Sequence, residues 1–317
     1  EESYGNNRKS RKRGGGKFLL ILFILALLGA GVWFTWEWVK TDKTTVISGK
    51  GFKSEDGETM IVEPSSEQTQ EVAKGTCGEN IFWSLTPDGR LTISGTGAIA
   101  DYEYSDDIPW KSHSQNILSV VINEGITQVC SSAFSGCSNL KSVQLPDSLT
   151  RIRAYTFYQC KSLTDINIPD NVTYIGESAF ANCFALEKMF TGNGVRFIEN
   201  MAFYGCHSLS NLVFGNNLIS IGELAFRGCR SLVSITIPAN VTKIYSQAFN
   251  YCSGLEEVYF VGDAPKVYGS YGYIFYDVTA TAYYPANNAT WTESVMNGYV
   301  YGDTITWVAY ENDNGDL

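Results

Sequence analysis

The stretch SAFSGCSNLKSVQLPDSLTRIRAYTFYQC, residues 132–160, contains the pattern Phe-x-x-Cys twice, and the second copy follows the first by 23 residues. The same step continues through much of the chain. The repeated residues are Phe134, Phe157, Phe180, Phe203, Phe226 and Phe249, followed by Cys137, Cys160, Cys183, Cys206, Cys229 and Cys252. Six copies at one constant step are an internal repeat, and a period of roughly 20 to 50 residues is typical of proteins that stack one unit on the next.

Other positions of the repeat are apolar as well. Each unit approximates L-x-x-I-x-I-P-x-x-V-T-x-I-x-x-x-A-F-x-x-C-x-x. The alternation in SLVSITIP, residues 231–238, predicts a strand that proline ends, and Ala-Phe-x-x-Cys predicts one short helical or 3-10 turn. Because so short a unit cannot bury its apolar face alone, we predict a solenoid with a parallel β-sheet on one face.

The six repeated cysteines fit a buried column better than a chemical role. A catalytic thiol needs a single electropositive setting, and a zinc site needs clustered ligands, whereas these cysteines recur in an apolar pattern. Free cysteine is among the most buried residue types. We therefore predict a structural ladder of the six phenylalanines and six cysteines. Cys77 and Cys130 lie outside the column, and a disulfide between them remains open.

The pattern resembles the BspA-like, or treponemal-type, leucine-rich repeats over residues 117 to about 260. The segments IPDNVTYIGESAFANC, residues 168–183, and IPANVTKIYSQAFNYC, residues 237–252, fit that family's motif almost throughout. One unit departs from it, since Thr191-Gly192 replaces isoleucine-proline. The resemblance implies a leucine-rich-repeat solenoid and a surface-exposed bacterial protein that acts in adhesion and protein binding.

The amino-terminal segment predicts a membrane anchor. Residues 1–17 form a basic tail with six Lys/Arg against two Glu, and Phe18–Trp36 is a run of 19 residues without charge. We predict a transmembrane helix over residues 18–39, with the tail in the cytoplasm and the carboxyl-terminal part outside the cell. A cleaved signal peptide is the alternative. Because the chain begins at Glu1, we expect a fragment or a processed product.

The remaining boundaries follow from composition and pattern. Residues 40–75 are predicted to be a flexible polar stalk, and residues 76–116 a β-rich cap whose Pro-Asp-Gly turn at residues 87–89 indicates a hairpin. The six repeats occupy residues 117–254. Residues 255–310 are predicted to be a degenerate repeat and a second cap, with Gly272 in the phenylalanine column, and residues 311–317 an acidic tail.

Catalysis, cofactors and metals have little support in the sequence. The two histidines, His113 and His207, lie in no recognised triad or metal spacing. A dinucleotide-like spacing at Gly95, Gly97 and Ala100 lacks the helix that such a motif needs. The net charge of −10 does not suit a nucleic-acid binder. We therefore expect no enzyme activity, no cofactor and no nucleic-acid partner.

Outward positions of the predicted strands form the candidate binding surface. They are Phe190, Val213, Tyr259, Gln144, Asn167 and Thr236. Our first hypothesis is a membrane-anchored, extracellular module that binds a protein or another macromolecule. The second is an outer sensor or spacer of a longer signalling protein. The third is a carbohydrate-processing enzyme that uses the cap residues Tyr271, Tyr273, Tyr283, Tyr284 and Trp291.

Overall fold

The computed structural model describes residues 71–302 and 304–311 of the 317-residue chain. They form a parallel β-solenoid of about eight turns in which successive turns are 23 residues apart. The strands, numbered in chain order, are β1 Ala73–Gly78, β2 Ile81–Leu85, β3 Arg90–Gly95, β4 Gly97–Ala98, β5 Ser119–Ile122, β6 Ile126–Gln128, β7 Ser142–Gln144, β8 Arg151–Ile152, β9 Asp165–Asn167, β10 Tyr174–Ile175, β11 Lys188–Phe190, β12 Phe197–Ile198, β13 Asn211–Val213, β14 Ser220–Ile221, β15 Ser234–Ile237, β16 Lys243–Tyr245, β17 Glu257–Phe260, β18 Lys266–Tyr268, β19 Ala280–Pro285 and β20 Ile305–Tyr310.

The front sheet contains the strands that the sequence predicts. It consists of β3, β5, β7, β9, β11, β13, β15, β17, β19 and β20, hydrogen-bonded in three successive blocks. Its apolar residues alternate with exposed ones because neighbouring side chains of a strand point to opposite faces. In β11, for example, Met189 is buried between exposed Lys188 and Phe190, and it pairs with Leu212 of β13.

A second sheet corrects the prediction of a single sheet. This side sheet has eight strands, β4, β6, β8, β10, β12, β14, β16 and β18, and most contain only two or three residues. The strands come from the Thr-x-Ile part of each unit, where the isoleucine is buried and the preceding residue faces outward, as in Phe197 and Ile198. A strand of two or three residues is too short to show an alternation of apolar and polar residues in the sequence. The strand forms because it is hydrogen-bonded to the equivalent strands of the adjacent turns.

The third side of each of the six repeats contains no helix, contrary to the predicted helical or 3-10 turn. Two residues in each unit adopt positive φ, the first at 51–62° and the second at 58–79°. These left-handed residues break the run of right-handed backbone conformations that a helix needs. The first set is Ser132, Tyr155, Ser178, Met201, Leu224 and Gln247, and the second is Gly136, Gln159, Asn182, Gly205, Gly228 and Tyr251. The backbone amides instead bond to the next turn, as from Phe157 N to Ala179 O at 2.8 Å.

The core contains a continuous stack of aromatic rings. The six repeated phenylalanines are fully buried, and neighbouring ring centroids lie 5.1–5.4 Å apart. Trp110 extends the stack at the amino-terminal end and Phe275 extends it at the other. Phe275, and not Gly272, continues the phenylalanine column, because the last turn is three residues longer than the others.

The repeated cysteines lie beside this stack as buried free thiols. Five of them donate the S–H group to the backbone oxygen of a phenylalanine in the preceding turn, for example from Cys206 Sγ to Phe180 O at 3.2 Å. Burial raises the pKa of the Cys183 thiol to about 12. Cys77 and Cys130 are also buried free thiols. Each of these thiols thus packs in the core as a small apolar group, and its S–H group can donate one hydrogen bond to a buried backbone carbonyl oxygen.

Both ends of the solenoid carry additional structure. At the amino-terminal end β1, β2 and β3 pair antiparallel, and β3 then pairs with β5 in parallel. The cap begins at Ala73, inside the range assigned to the stalk, because β1 pairs with β2 from that residue. Two 3-10 helices, Ser105–Asp107 and Lys111–His113, follow, and the only α-helix within the described residues is α1, Glu293–Asn297, near the other end.

Several predicted segments lie outside the described residues. These are the basic tail at residues 1–17, the transmembrane helix at 18–39, nearly all of the stalk at 40–75, and all but one residue of the acidic tail at 311–317. Among residues 71–302 and 304–311, no helix has the length and apolar character needed to cross a membrane.

Candidate functional site

The six predicted surface residues lie in one column on the outer face of the front sheet. Phe190 pairs with Asn167 on one side and with Val213 on the other, and Thr236 pairs with Tyr259. Gln144 occupies the same position in β7. Because strands are about 4.8 Å apart, the line from β5 to β20 is roughly 38 Å long. The column is therefore an extended surface rather than a pocket.

Phe190 and Val213 form an apolar pair at the centre of this column. The Phe190 side chain is 38% exposed and that of Val213 is 50% exposed. They are direct partners on adjacent parallel strands, so their side chains are neighbours on the solvent side. The residues on either side in the column, Asn167 and Thr236, are exposed and polar. The pair is therefore an apolar spot bordered by polar residues within the column, and an apolar core with a polar rim is typical of protein-binding surfaces.

Tyr259 differs from this pair because it is already engaged within the chain. Its ring stacks on Tyr283 at 4.6 Å, and its hydroxyl donates to Glu257 Oε2 at 3.2 Å. Burial, and then the charge of Glu257, raise the pKa of Tyr259. The column continues through Tyr283 to exposed Val308. The sequence prediction missed both residues because the repeat spacing is lost after Tyr259.

The side sheet carries a second outward surface that the sequence prediction missed. Here cationic side chains lie over outward-facing aromatic rings, as Arg151 over half-buried Tyr174 at 5.6 Å and Arg196 over exposed Phe197 at 5.7 Å. Lys243 lies 6.0 Å from the centre of the Tyr268 ring. Such cation–π pairs each contribute about 0.5–1 kcal/mol at exposed sites. The aromatic and cationic residues that precede the repeated isoleucines could have indicated this surface. They were missed because no second strand was predicted at that position.

The five residues proposed for carbohydrate processing do not share one site. Tyr283 belongs to the front column. Tyr284 and Trp291 pack against each other and against Trp307 inside the carboxyl-terminal cap. Only Tyr271 and Tyr273 lie together, with their ring centroids 6.1 Å apart. The structure therefore divides these residues among the front column, the interior of the cap and a separate pair.

The histidine and cysteine side chains of the described residues lie in packed or buried positions. His207 stacks on Phe184 at 5.2 Å, and burial, together with the charge of Arg230, lowers its pKa. The pKa of every thiol is raised by burial, which opposes formation of a nucleophilic thiolate. Within residues 71–302 and 304–311, no three His, Cys, Asp or Glu side chains are grouped as metal ligands.

Comparison with known proteins agrees with this geometry. The family model described as BspA type leucine rich repeat region matches six copies at residues 111–199 and 185–290, which together span 180 of 317 residues. No curated protein matches the chain.

Three solved structures illustrate the similarity. A leucine-rich repeat protein from Bacteroides ovatus has 20% identity and a TM-score of 0.49, over 75% of this chain and 66% of that one. This chain therefore spans slightly less than two thirds of that protein. A leucine-rich cell surface protein from Faecalibacterium prausnitzii has 16% identity and a TM-score of 0.39, over 78% and 97%. A leucine-rich repeat protein from T. pallidum has 21% identity and a TM-score of 0.37, over 74% and 99%.

Proposed function

The chain belongs to the BspA-type leucine-rich repeat family, and on that premise we propose that it is a non-catalytic protein-binding module acting in adhesion at a cell surface. The observation that carries the proposal is the exposed pair of Phe190 and Val213, which lies between the exposed polar residues Asn167 and Thr236 in the front column. The repeated residues are used by the core. The outward residues differ from turn to turn, so binding specificity belongs to them.

We further propose that residues 18–39 anchor the module in the membrane, with residues 40–72 as a stalk on the outer side. The uncharged run from Phe18 to Trp36 and the basic residues before it support this arrangement. Expression in a bacterial host tests it. We expect the chain in carbonate-washed membranes, with the repeats accessible to protease added outside spheroplasts. Recovery of a soluble chain that starts after residue 30 would contradict the anchor.

Binding to immobilised collagen, laminin and fibronectin tests the module itself. We expect the 317-residue chain to bind at least one of these extracellular proteins. Replacing an apolar residue at the centre of an interface commonly costs about 2 kcal/mol or more, so Phe190→Ala with Val213→Ala should weaken binding by about thirtyfold.

Phe197→Ala is the matched control for this experiment. Phe197 is also a phenylalanine in a central turn and is also 38% exposed, but it lies on the side sheet. We expect this variant to bind as the wild type does. Equal losses in the two variants, or an unchanged affinity in the front-sheet variant, would contradict binding through the front column. Thermal unfolding of both variants checks that neither change destabilises the fold.

A further inference from the structure

A cleft with an aromatic wall opens at the last turn of the solenoid, away from the front column. Its volume is about 370 Å³, at the small end of the range of ligand pockets. Tyrosine rings line it, and their centroids lie 5.3–6.1 Å apart in a continuous series of contacts. The residues that define this tyrosine cleft are Tyr251, Tyr271, Tyr273, Tyr276 and Tyr301.

Two of these tyrosines expose large ring surfaces to solvent. Tyr271 and Tyr301 are each 62% exposed, and both contact Tyr273, at 6.1 and 5.5 Å respectively. The ring of Tyr273 is thus held between two solvent-facing rings. A tyrosine combines an apolar face with a polar hydroxyl, so the cleft offers flat stacking surfaces with hydrogen-bonding groups at their edges.

The polar groups of the cleft include one that has no partner. Asn250 lines the cleft, its side chain is only 1% exposed, and its Oδ1 atom accepts no hydrogen bond within the described residues. Buried polar atoms are nearly always hydrogen-bonded, and an unpaired one costs about 1–3 kcal/mol. This oxygen is therefore an unused hydrogen-bond acceptor that can pair with a donor group of a ligand.

The cleft also contains a cation that is not neutralised by a carboxylate. Arg227 lies over the Tyr251 ring at 4.8 Å and donates from Nη1 to Gln247 Oε1 at 3.1 Å. No acidic residue among residues 71–302 and 304–311 lines the cleft, and none of the ion pairs found in that part of the chain includes Arg227. An arginine held in one orientation by a ring and an amide is suited to a carboxylate ligand.

We propose that the tyrosine cleft binds a carboxylate-bearing oligosaccharide. A pyranose ring has a flat face of C–H groups for Tyr271 or Tyr301 and a rim of hydroxyls that donate to Asn250 Oδ1. The carboxylate of a uronic or sialic acid residue binds Arg227. This site is separate from the front column. The proposal is one of binding alone, because the described residues of the cleft include no pair of catalytic side chains.

A proline-rich peptide is the main competing ligand, since such peptides dock in grooves lined by aromatic residues. Proline lacks the backbone N–H group, so a polyproline segment brings few donors and leaves the Asn250 oxygen unpaired. It also brings no negative charge for Arg227. The polar groups of the cleft therefore favour the acidic sugar over the peptide.

An array of immobilised oligosaccharides tests the proposal. The array includes neutral chains and chains with uronic or sialic acid, and a hexaproline peptide is printed beside them. The probe is the 317-residue chain in a zwitterionic detergent without a sugar headgroup. We expect binding to one or more acidic chains, and a loss of at least tenfold in affinity in the double variant Tyr271→Ala, Tyr301→Ala. Arg227→Gln should cause a loss of about tenfold for the acidic chains, as expected for a charge-assisted hydrogen bond.

Two controls separate this site from other surfaces. Tyr104→Ala removes a tyrosine of nearly equal exposure, 64%, in the amino-terminal cap, and it should leave sugar binding unchanged. Phe190→Ala should do the same, whatever its effect on protein binding. The proposal is overturned if no sugar binds, if only neutral chains bind, if the hexaproline peptide binds instead, or if the double variant binds as the wild type does.

Discussion

The middle of the solenoid and its carboxyl-terminal end use the same aromatic column with different regularity. Around Phe203 the ring centroids are 5.1 Å apart and the planes differ by only 4–5°. Between Phe249 and Phe275 the distance is 5.8 Å and the planes differ by 24°. This last step also contains an insertion after Tyr268, which lengthens the turn by three residues and includes the exposed Tyr271.

The two regions also differ in how their polar groups are paired. In the middle, each turn pairs with polar groups of the preceding turn, as the thiol of Cys206 does by donating to Phe180 O. At the end, the longer turn changes the pairing, and Gln247 N bonds to Tyr273 O instead of a residue 22 positions ahead. In the same place, the side-chain Oδ1 atom of Asn250 accepts no hydrogen bond within the described residues. The longer last turn supplies Tyr271, Tyr273 and Tyr276 to the wall of the tyrosine cleft.

The largest predicted effect on the free energy of unfolding comes from removing one ring from the middle of the phenylalanine stack. Phe203→Ala removes a fully buried ring that stacks on two neighbours, so we expect a loss of about 4–5 kcal/mol in the free energy of unfolding. Phe275→Ala removes an equally buried ring with one neighbour in the stack, Phe249. Its loss should be smaller by about 1 kcal/mol, the contribution of one aromatic pair.

Urea unfolding followed by circular dichroism measures both losses. Phe190→Ala is the control, because the ring is exposed and its loss should change the free energy of unfolding by less than about 0.5 kcal/mol. A loss in the Phe275 variant that equals or exceeds that in the Phe203 variant would show that the stack is as strong at its end as in its middle.

The second prediction concerns alkaline pH and the buried thiols. The unfolded thiol of Cys183 has a pKa near 9.0, whereas burial raises the folded value to about 12. Above pH 9 the unfolded state therefore binds fewer protons than the folded state. Stability is present in full below pH 9 and falls as pH rises toward 12, by about 1.4 kcal/mol per pH unit for each such thiol.

Cys183→Ala isolates the contribution of one thiol. Between pH 8 and pH 10 the variant should lose about 1.4 kcal/mol less than the wild type, although it is less stable at pH 8. Ala181→Ser, in the same turn and also buried, introduces no group that titrates in this range and should keep the wild-type slope. Parallel curves for Cys183→Ala and the wild type would mean that this thiol ionises as readily in the folded chain as in the unfolded one.

The sequence predicts what is repeated and fails where repetition ends or a signal is too short. The columns of Phe134 and Cys137 identify the stacked turns, and the alternation in SLVSITIP identifies the front strands with the correct outward residues. The two-residue strands of the side sheet give no alternation of their own. The left-handed positions accept Leu224, Met201 and Tyr155 as well as glycine, so residue type does not reveal them. Tyr301 is separated from Tyr251 by 50 residues, and only the folded last turn brings them to one cleft.

The smallest predicted effect compares two glycines with similar backbone conformation. Gly228 has a φ of 79° in a regular turn, and Gly272 has a φ of 69° in the inserted loop; a Cβ atom would meet no close contact at either position. Any loss in the free energy of unfolding on substitution by alanine must therefore come from holding alanine in a left-handed conformation, which costs about 1 kcal/mol. Gly228 N is held by a hydrogen bond to Asn250 O at 2.8 Å, and the same bond fixes the turn.

For these reasons Gly228→Ala should lower the free energy of unfolding by about 1 kcal/mol. The amide of Gly272 makes no backbone hydrogen bond within the described residues, so the inserted loop is free to relax, and Gly272→Ala should cost less than about 0.5 kcal/mol. Urea midpoints of the two variants at pH 7.5 give the comparison directly. If alanine at 272 costs as much as alanine at 228, the inserted loop is held as firmly as a regular turn, and the tyrosine cleft is then a preformed site that a ligand enters without adjusting it.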